Sequence, residues 1–524
     1  MFGQWLVPLT TYFVVFCLLT YPAITLFSTH FMSDAGDGLQ NVWNMWWVNK
    51  SVTELHQLPW HTTWLHYPHG TTLLIQTLNP FNGFVGIPLQ TVFSLTQSFN
   101  IMVIFGFVFG ATTAFWLCFH VTRDYFCSLV GGFIFSFSNY HFAHAEGHLQ
   151  LVSLQFIPLF VLFWLRLLEK PNYRTSACAA ITLFLVILCD YYYFFFCVLA
   201  GALMTFTHAF YEKEPFFVLK REYLRPLILF TVLALTTSGV LAGALVWNNH
   251  IDPVVYGAHP AKIYSMDLLA LLIPGGHWFF APLTEWYWSK LPGNIHESSV
   301  HLGSGVFVLL ILAGLWSAKA PGRLGYWWVL ILFFFAMALG PVFTIFGSWY
   351  EGVPMPYSAM TTVLPILDLG GAPVRMVIMV ILASSVLCAE SLRQLRASRA
   401  RIAAPLLLGI IVFEFLPKPI PTTRVQTPAY VDFLEMQTGL QPIIDSAPAS
   451  AALYYQTIHE QPMAFGYVSR LTQSTLSGST EVSDLLNRGD TKTLYEDFGF
   501  RFFIQEEGDK HRIYDLSKRS ARPD

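Results

Sequence analysis

Charge is what this chain has little of. Only 12% of its 524 residues are Asp, Glu, Lys or Arg, where a water-soluble protein carries roughly 25%. The deficit excludes a large water-facing surface. Together with 54% hydrophobic and 16% aromatic residues, gathered in repeated long apolar runs, it makes the chain a polytopic membrane protein. No basic cluster suggests a nucleic-acid partner. The seven cysteines (Cys17, Cys118, Cys127, Cys178, Cys189, Cys197 and Cys388) all fall in apolar runs, without CxxC or zinc-like spacing. They read as small packing residues, so the water-exposed parts use no disulfides. No basic segment precedes the first apolar run, 5–29, which is longer than a signal-peptide core and reads as a retained first span. No internal repeat of the kind that builds many transporters is evident, which counts against a carrier.

What is present is a series of apolar windows. They predict an all-α membrane region of about eleven helices, at 5–29, 98–120, 125–140, 150–168, 174–189, 191–210, 224–247, 301–318, 325–346, 374–391 and 402–417. The pair around CDYYYFFF, 189 to 196, could instead be one broken or re-entrant unit. With the N-terminus inside, the short inner loops hold Arg123; Arg166, Lys170 and Arg174; Lys213, Lys220, Arg221 and Arg225; Lys319 and Arg323; and Arg393, Arg396, Arg399 and Arg401. The much longer outer loops between spans hold Lys50, Lys262 and Lys290. Positive-inside bias therefore predicts a cytoplasmic N-terminus and an external C-terminus. Of the 17 histidines, all but His120 and His208 then face outward, and titratable function is expected there. The expected division is a membrane region, 1–417, with long outer loops 30–97 and 248–300, and a small extracytoplasmic α/β domain, 418–524. In that domain FRFFIQEE, 500 to 507, reads as a buried strand and TEVSDLLN, 480 to 487, as a capped helix start.

The first outer loop carries Asp34 and Asp37 in SDAGDG, just after the first span. Leu39, Val42, Trp43, Trp46, Trp47 and Lys50 follow at helical spacing, which suits a helix lying in the headgroup layer. Asp37-Gly-Leu-Gln40 fits a capping box, which would leave Asp34 solvated and idle. The same position also suits a general base, because a carboxylate at the membrane surface can take a proton from an attacking hydroxyl. The two readings are compatible, since a capped carboxylate is also a positioned one.

Three more segments carry chemistry. In NYHFAHAEGHLQ, 139 to 150, His141, His144 and His148 share one face if the segment is helical, with Glu146 between them. They could bind a divalent metal or a substrate phosphate, or serve only to pack; no HExxH pattern selects among these. YSMDLLALLIPGGHW, 264 to 278, and NIHESSVHLGSG, 294 to 305, add Asp267, His277, His296, Glu297 and His301. Asp190, at an outer helix end, is a functional candidate as an ionisable group within a membrane segment, or else a headgroup-layer acid. In LGGAPVRM, 369 to 376, Arg375 opens an outward-ended span against the charge trend. A guanidinium there suits a phosphate or snorkels to anchor the helix.

Taken in order, the acidic GDG loop after the first span, the GHLQ loop and the proline-bounded APVR segment resemble the GT-C superfamily of integral-membrane glycosyltransferases. The chain is most similar to bacterial membrane proteins of that superfamily in which GDG leads into a Trp-rich helix and a YPxG segment, here YPHG at 67 to 70. Their tail carries a YYQTxHxxP…GYxSR pattern, here YYQTIHEQPMAFGYVSR at 454 to 470. The resemblance runs from 34 to about 505. It implies a polyprenyl-phosphate or pyrophosphate sugar donor and a first-loop acid acting as base or metal ligand, a place matched by Asp37 with Asp34 beside it. The DxD or ExD pairing of some members is absent, because SDAGD spaces its acids by three.

The expectation is a glycosyltransferase in the cytoplasmic membrane of a bacterium, acting on its outer face on a lipid, glycan or protein acceptor. Asp37 and Asp34 are the expected catalytic residues. His144, Glu146, His148, Asp190, Asp267, Glu297 and Arg375 are the expected substrate contacts. No cofactor is required by the sequence; a divalent metal ion is the one candidate, with Asp37, His141, His144 and His148 as candidate ligands. The alternatives are a non-catalytic glycolipid transporter, disfavoured by span centres nearly devoid of charge, and a degenerate transferase acting as an assembly factor.

Overall fold

A computed structural model describes residues 3–257, 259–317, 324–364, 367, 370–507 and 510–518. Lys319, Arg323 and Leu369 lie outside the described residues. The chain folds as two compact units. The first comprises Met1–Thr25, Ile101–Val240 and His259–Ile420; the second comprises Leu26–Asn100, Leu241–Ala258 and Pro421–Asp524.

Among the described residues, six helices are long and apolar enough to cross a membrane: Leu95–Thr122, Leu149–Glu169, Tyr191–Glu212, Arg221–Ile251, Ile295–Ser317 and Pro373–Ala397. Five shorter apolar helices lie in the remaining windows, Leu6–Leu19, Tyr125–Ser136, Tyr173–Cys189, Gly325–Ala338 and Ala403–Glu414. CDYYYFFF is the junction of two helices, Tyr173–Cys189 and Tyr191–Glu212. Their burial differs widely. The apolar window of Pro373–Ala397 is 100% buried, whereas that of Arg221–Ile251, which is slightly more apolar, is 6% buried. A bare apolar helix of this length is stable against lipid and unstable against water.

In the first unit, the helix Val377–Ala397 packs against Tyr125–Ser136, Gly303–Ser317 and Gly325–Ala338. The approach is close: a Cβ at Gly131 would lie 2.5 Å from Cys118 Sγ and 3.1 Å from the Ser385 carbonyl. Helix starts follow the Asx rule, in which a side-chain oxygen takes an otherwise orphaned amide. Asp124 accepts from the Cys127 amide at 2.9 Å and Asn172 from the Thr175 amide at 2.9 Å. All seven cysteines are free thiols.

The second unit is α/β. Its three-stranded sheet places Phe502–Glu507 in the middle, parallel to Ile443–Asp445 and antiparallel to Lys510–Asp515. FRFFIQEE is thus a central strand. TEVSDLLN is the second half of a longer helix, Gln473–Asn487, capped by Thr472 and not at Thr480. Residues 421–524 fall in one compact unit with the first loop and residues 241–258, and they share a core with that loop.

The tryptophans explain that sharing. Trp43, Trp46 and Trp47, on the helix Asp37–Asn49, are buried with Trp64, Leu453, Tyr455 and Ile504. They build a core and do not lie on a bilayer surface. The Trp43 indole N–H donates to Gln456 Oε1 at 2.6 Å and that of Trp47 to the Pro59 carbonyl at 3.1 Å. Lys50, expected among the outer-loop cations, is 6% exposed and pairs with Glu54 and, at 2.6 Å, with Glu460.

Candidate functional site

The two catalytic candidates lie in the second unit, and their capping role is the reverse of the expected one. The helix Asp37–Asn49 begins at Asp37 itself, so Asp37 is its first residue and not its cap. The capping carboxylate is Asp34, whose Oδ1 accepts from the amides of Gly36 at 3.0 Å and Gly38 at 2.9 Å. Asp34 is therefore not idle. Gly38 permits this turn, since a Cβ there would lie 2.4 Å from Ser33 Oγ. Asp37 instead receives the Tyr467 hydroxyl at 2.6 Å on Oδ1. Burial, then the hydrogen bond to Asp37 and the charges of Asp37 and Asp34, push the Tyr467 phenol above its ordinary range.

The first unit gathers most of the other candidates. Arg375 and Glu297 are both buried and joined by Nε and Nη2 donating to Oε1 at 2.9 and 2.5 Å. The guanidinium carbon lies 4.8 Å from the Tyr192 ring centroid. His144 Nε2 approaches Glu297 Oε2 to 3.8 Å, too far for a hydrogen bond, and both His144 nitrogens and Glu297 Oε2 are buried without one. Buried polar atoms left in this state are uncommon and concentrate where a ligand or water belongs. Burial holds His144 neutral, well below the usual histidine range.

The array continues through His148, whose ring lies 5.6 Å from that of His144 and 6.3 Å from that of His296. Glu146 then meets two histidines, with Oε1 3.1 Å from His277 Nε2 and Oε2 3.6 Å from His296 Nδ1. Burial would raise the Glu146 carboxyl, but the His277 contact and the charges of His277 and His296 hold it below the usual carboxylate range. The PGGH sequence makes this approach geometrically feasible. A Cβ at Gly275 would lie 3.0 Å from Ser299 Cα, and one at Gly276 2.1 Å from Ile295 Cδ1.

Three candidates are occupied elsewhere. Asp190 caps the helix Tyr191–Glu212, accepting from the amides of Tyr192 at 2.8 Å and Tyr193 at 3.2 Å. Asp267 takes the Tyr287 hydroxyl at 2.9 Å and the amides of Leu269 and Gly347 at 3.0 and 2.9 Å, which ties three chain segments together. His141 and His144 lie three residues apart on the helix Asn139–Ala145, which ends before His148, so the trio does not share one helix face. The nitrogens of His141 lie 2.6 Å from the Ser136 carbonyl and 2.9 Å from that of Val152. Its ring stacks on Phe107, which makes it a packing residue unsuited to metal.

The metal set expected from sequence, Asp37 with His141, His144 and His148, is thus not supported by His141. Among the described residues, Glu146, His277 and His296 are a group whose ligand atoms converge, within 4.8 Å of one another. The Glu146 pairing with His277 spans 131 residues, and the Asp37 pairing with Tyr467 spans 430. No local periodicity reports such contacts. The one sequence signal for Tyr467 was its place in the GYVSR segment.

A family model described as a domain of unknown function (DUF6311) matches residues 8–414. Among solved structures, the chain is similar to ArnT from Cupriavidus metallidurans bound to undecaprenyl phosphate. The TM-score is 0.52 at 10% identity, over 100% of both chains. It is also similar to the apo oligosaccharyltransferase of Archaeoglobus fulgidus, with a TM-score of 0.52, 12% identity, and coverage of 96% of this chain and 70% of that one. A third relative is the mycobacterial arabinofuranosyltransferase AftD, with a TM-score of 0.54, 13% identity, and coverage of 95% of this chain and 35% of that one. The chain therefore spans about a third of AftD. These neighbours are GT-C glycosyltransferases, and the fold is theirs.

Proposed function

The chain belongs to the DUF6311 family, and from its GT-C fold we propose that it is a membrane glycosyltransferase. It takes a sugar from a polyprenyl-phosphate carrier and passes it to a lipid, glycan or protein acceptor. It works on the outer face of a bacterial cytoplasmic membrane, with the N-terminus inside. The undecaprenyl phosphate bound by ArnT, which is similar over the whole length of both chains, supports this class of donor.

The observation that carries the reading is the division of labour between Asp34 and Asp37. Asp34 holds the turn, and Asp37 already accepts a hydrogen bond from a hydroxyl, that of Tyr467 at 2.6 Å. An acceptor hydroxyl needs the same contact as it attacks the anomeric carbon. In the proposed step Asp37 removes that proton as the new glycosidic bond forms. The bond from the sugar to the carrier phosphate breaks with its electron pair on the phosphate oxygen. We assign His144, Glu146, His148, Glu297 and Arg375 to donor contacts: a phosphate would accept from the Arg375 guanidinium and from a ring N–H of His144, and the two carboxylates would accept from sugar hydroxyls.

The test is transfer from a polyprenyl-phosphate sugar by Asp37→Asn and Asp37→Ala proteins that remain membrane-inserted. The reading requires transfer to fall by about 10²–10⁴-fold. Full transfer by both variants would overturn it.

A further inference from the structure

We propose that Glu146, His277 and His296 form a binding site for a divalent transition metal of the zinc class. The set is two imidazoles and one carboxylate, supplied by three separate segments. Glu146 follows the helix Asn139–Ala145, His277 follows the glycine pair, and His296 lies in the short helix Ile295–Ser298. Their ligand atoms lie within 4.8 Å of one another. Four-coordinate zinc, with bonds near 2.1 Å, spaces its ligand atoms about 3.4 Å apart. Glu146 Oε1 lies 3.1 Å from His277 Nε2, and Glu146 Oε2 lies 3.6 Å from His296 Nδ1.

Hydrogen bonding around His277 suits a metal-bound imidazole. Ser299 Oγ lies 2.8 Å from the Ile295 carbonyl and 2.8 Å from His277 Nδ1. When the hydroxyl donates to the carbonyl, His277 Nδ1–H donates to Ser299, and the Nε2 lone pair faces Glu146 Oε1 at 3.1 Å, where a cation would be held. The Nδ1–H bond to Ser299 is also the arrangement that orients a metal-bound imidazole.

The set discriminates among metals. Two imidazoles suit zinc, cobalt or nickel and are poor ligands for magnesium or calcium, which take oxygen. Three protein ligands leave a fourth position, and access to it exists. The Glu146 and His296 side chains keep 16% and 26% exposure while His277 is buried at 3%. A structural zinc site is closed by four protein ligands, whereas this one leaves room for water or an anionic oxygen.

The test uses the full-length protein in detergent, stripped with chelator and titrated with cobalt(II), then zinc. The expected result is one equivalent of cobalt with visible absorption bands of a four-coordinate ion, displaced by zinc and unaffected by excess magnesium. Glu146→Gln and His277→Gln are expected to abolish the bands while eluting as the wild type. Ser299→Ala, which removes no ligand, is expected to weaken binding by about tenfold. Absence of stoichiometric cobalt in the wild type would overturn the proposal. Full binding by both ligand variants would overturn it as well. Should a ligand variant misfold, the wild-type spectrum and the Ser299→Ala affinity still decide.

Discussion

The Tyr467 hydroxyl donates to Asp37 Oδ1 at 2.6 Å, joining residues 430 positions apart. The acid of the first loop and the GYVSR segment of the tail therefore belong to one folded unit. That relationship, and the transfer of the capping duty to Asp34, separate stability from chemistry at two neighbouring acids.

Asp34 and Asp37 should behave oppositely when replaced. Asp34→Ala removes the acceptor of two amide protons and is expected to cost about 0.5–2 kcal/mol, seen as a lower thermal midpoint in detergent. Asp37→Asn keeps the helix start intact and should leave that midpoint near the wild type while transfer is lost. Equal destabilisation by both would mean that Asp37 is a structural acid.

The tail should be required for the first loop to fold. Ending the chain after Ile420 removes Leu453, Tyr455 and Ile504 from around Trp43 and Trp47. The loop 30–97 is then expected to become the preferred site of limited proteolysis. Within the intact chain, Trp43→Ala should cost about 3–5 kcal/mol. An unchanged cleavage pattern on truncation would contradict the shared core.

The Arg375–Glu297 pair should show strong coupling. Removing one member strands a buried charge, so Arg375→Met or Glu297→Gln alone is expected to cost about 3–5 kcal/mol. The double variant should cost clearly less than the sum of the two, as thermal unfolding in a double-mutant cycle would record. Additive costs would mean that the two side chains act separately.

Acid should destabilise the second unit through its buried histidines. Burial lowers His66 to about 4 and His459 to about 3. Below pH 6.5 the unfolded chain takes up protons at these positions and the folded chain does not. Stability is therefore complete above about pH 6.5 and declines as the pH falls towards 4. Thermal midpoints measured across that range should drop, and His66→Gln should flatten the drop.

The membrane character and the polar segments were legible because composition and period report them directly. Asp37, His144, Glu146, Glu297 and Arg375 could be singled out as chemistry-bearing residues in a poorly charged chain. Their partners could not. The Trp43–Trp47 stripe has the same helical spacing whether it meets lipid or a protein core, and only the tail helix Ala449–His459 decides between them. The capping-box reading failed for a local reason. Asp34 reaches across Gly36 to the Gly38 amide, an Asx-type turn that competes with the Asp37–Gln40 pattern. Glu146 was visible, but nothing near it in sequence indicates His277.

Asp37 as the base of a sugar transfer from a polyprenyl-phosphate donor is tested most directly by single-turnover transfer from a defined polyprenyl-phosphate sugar, using purified wild-type and Asp37→Asn proteins in lipid nanodiscs. Glycosylated acceptor and free polyprenyl phosphate are expected from the wild type, and a loss of about 10²–10⁴-fold in the variant with donor binding retained. Equal turnover by the two proteins would contradict it.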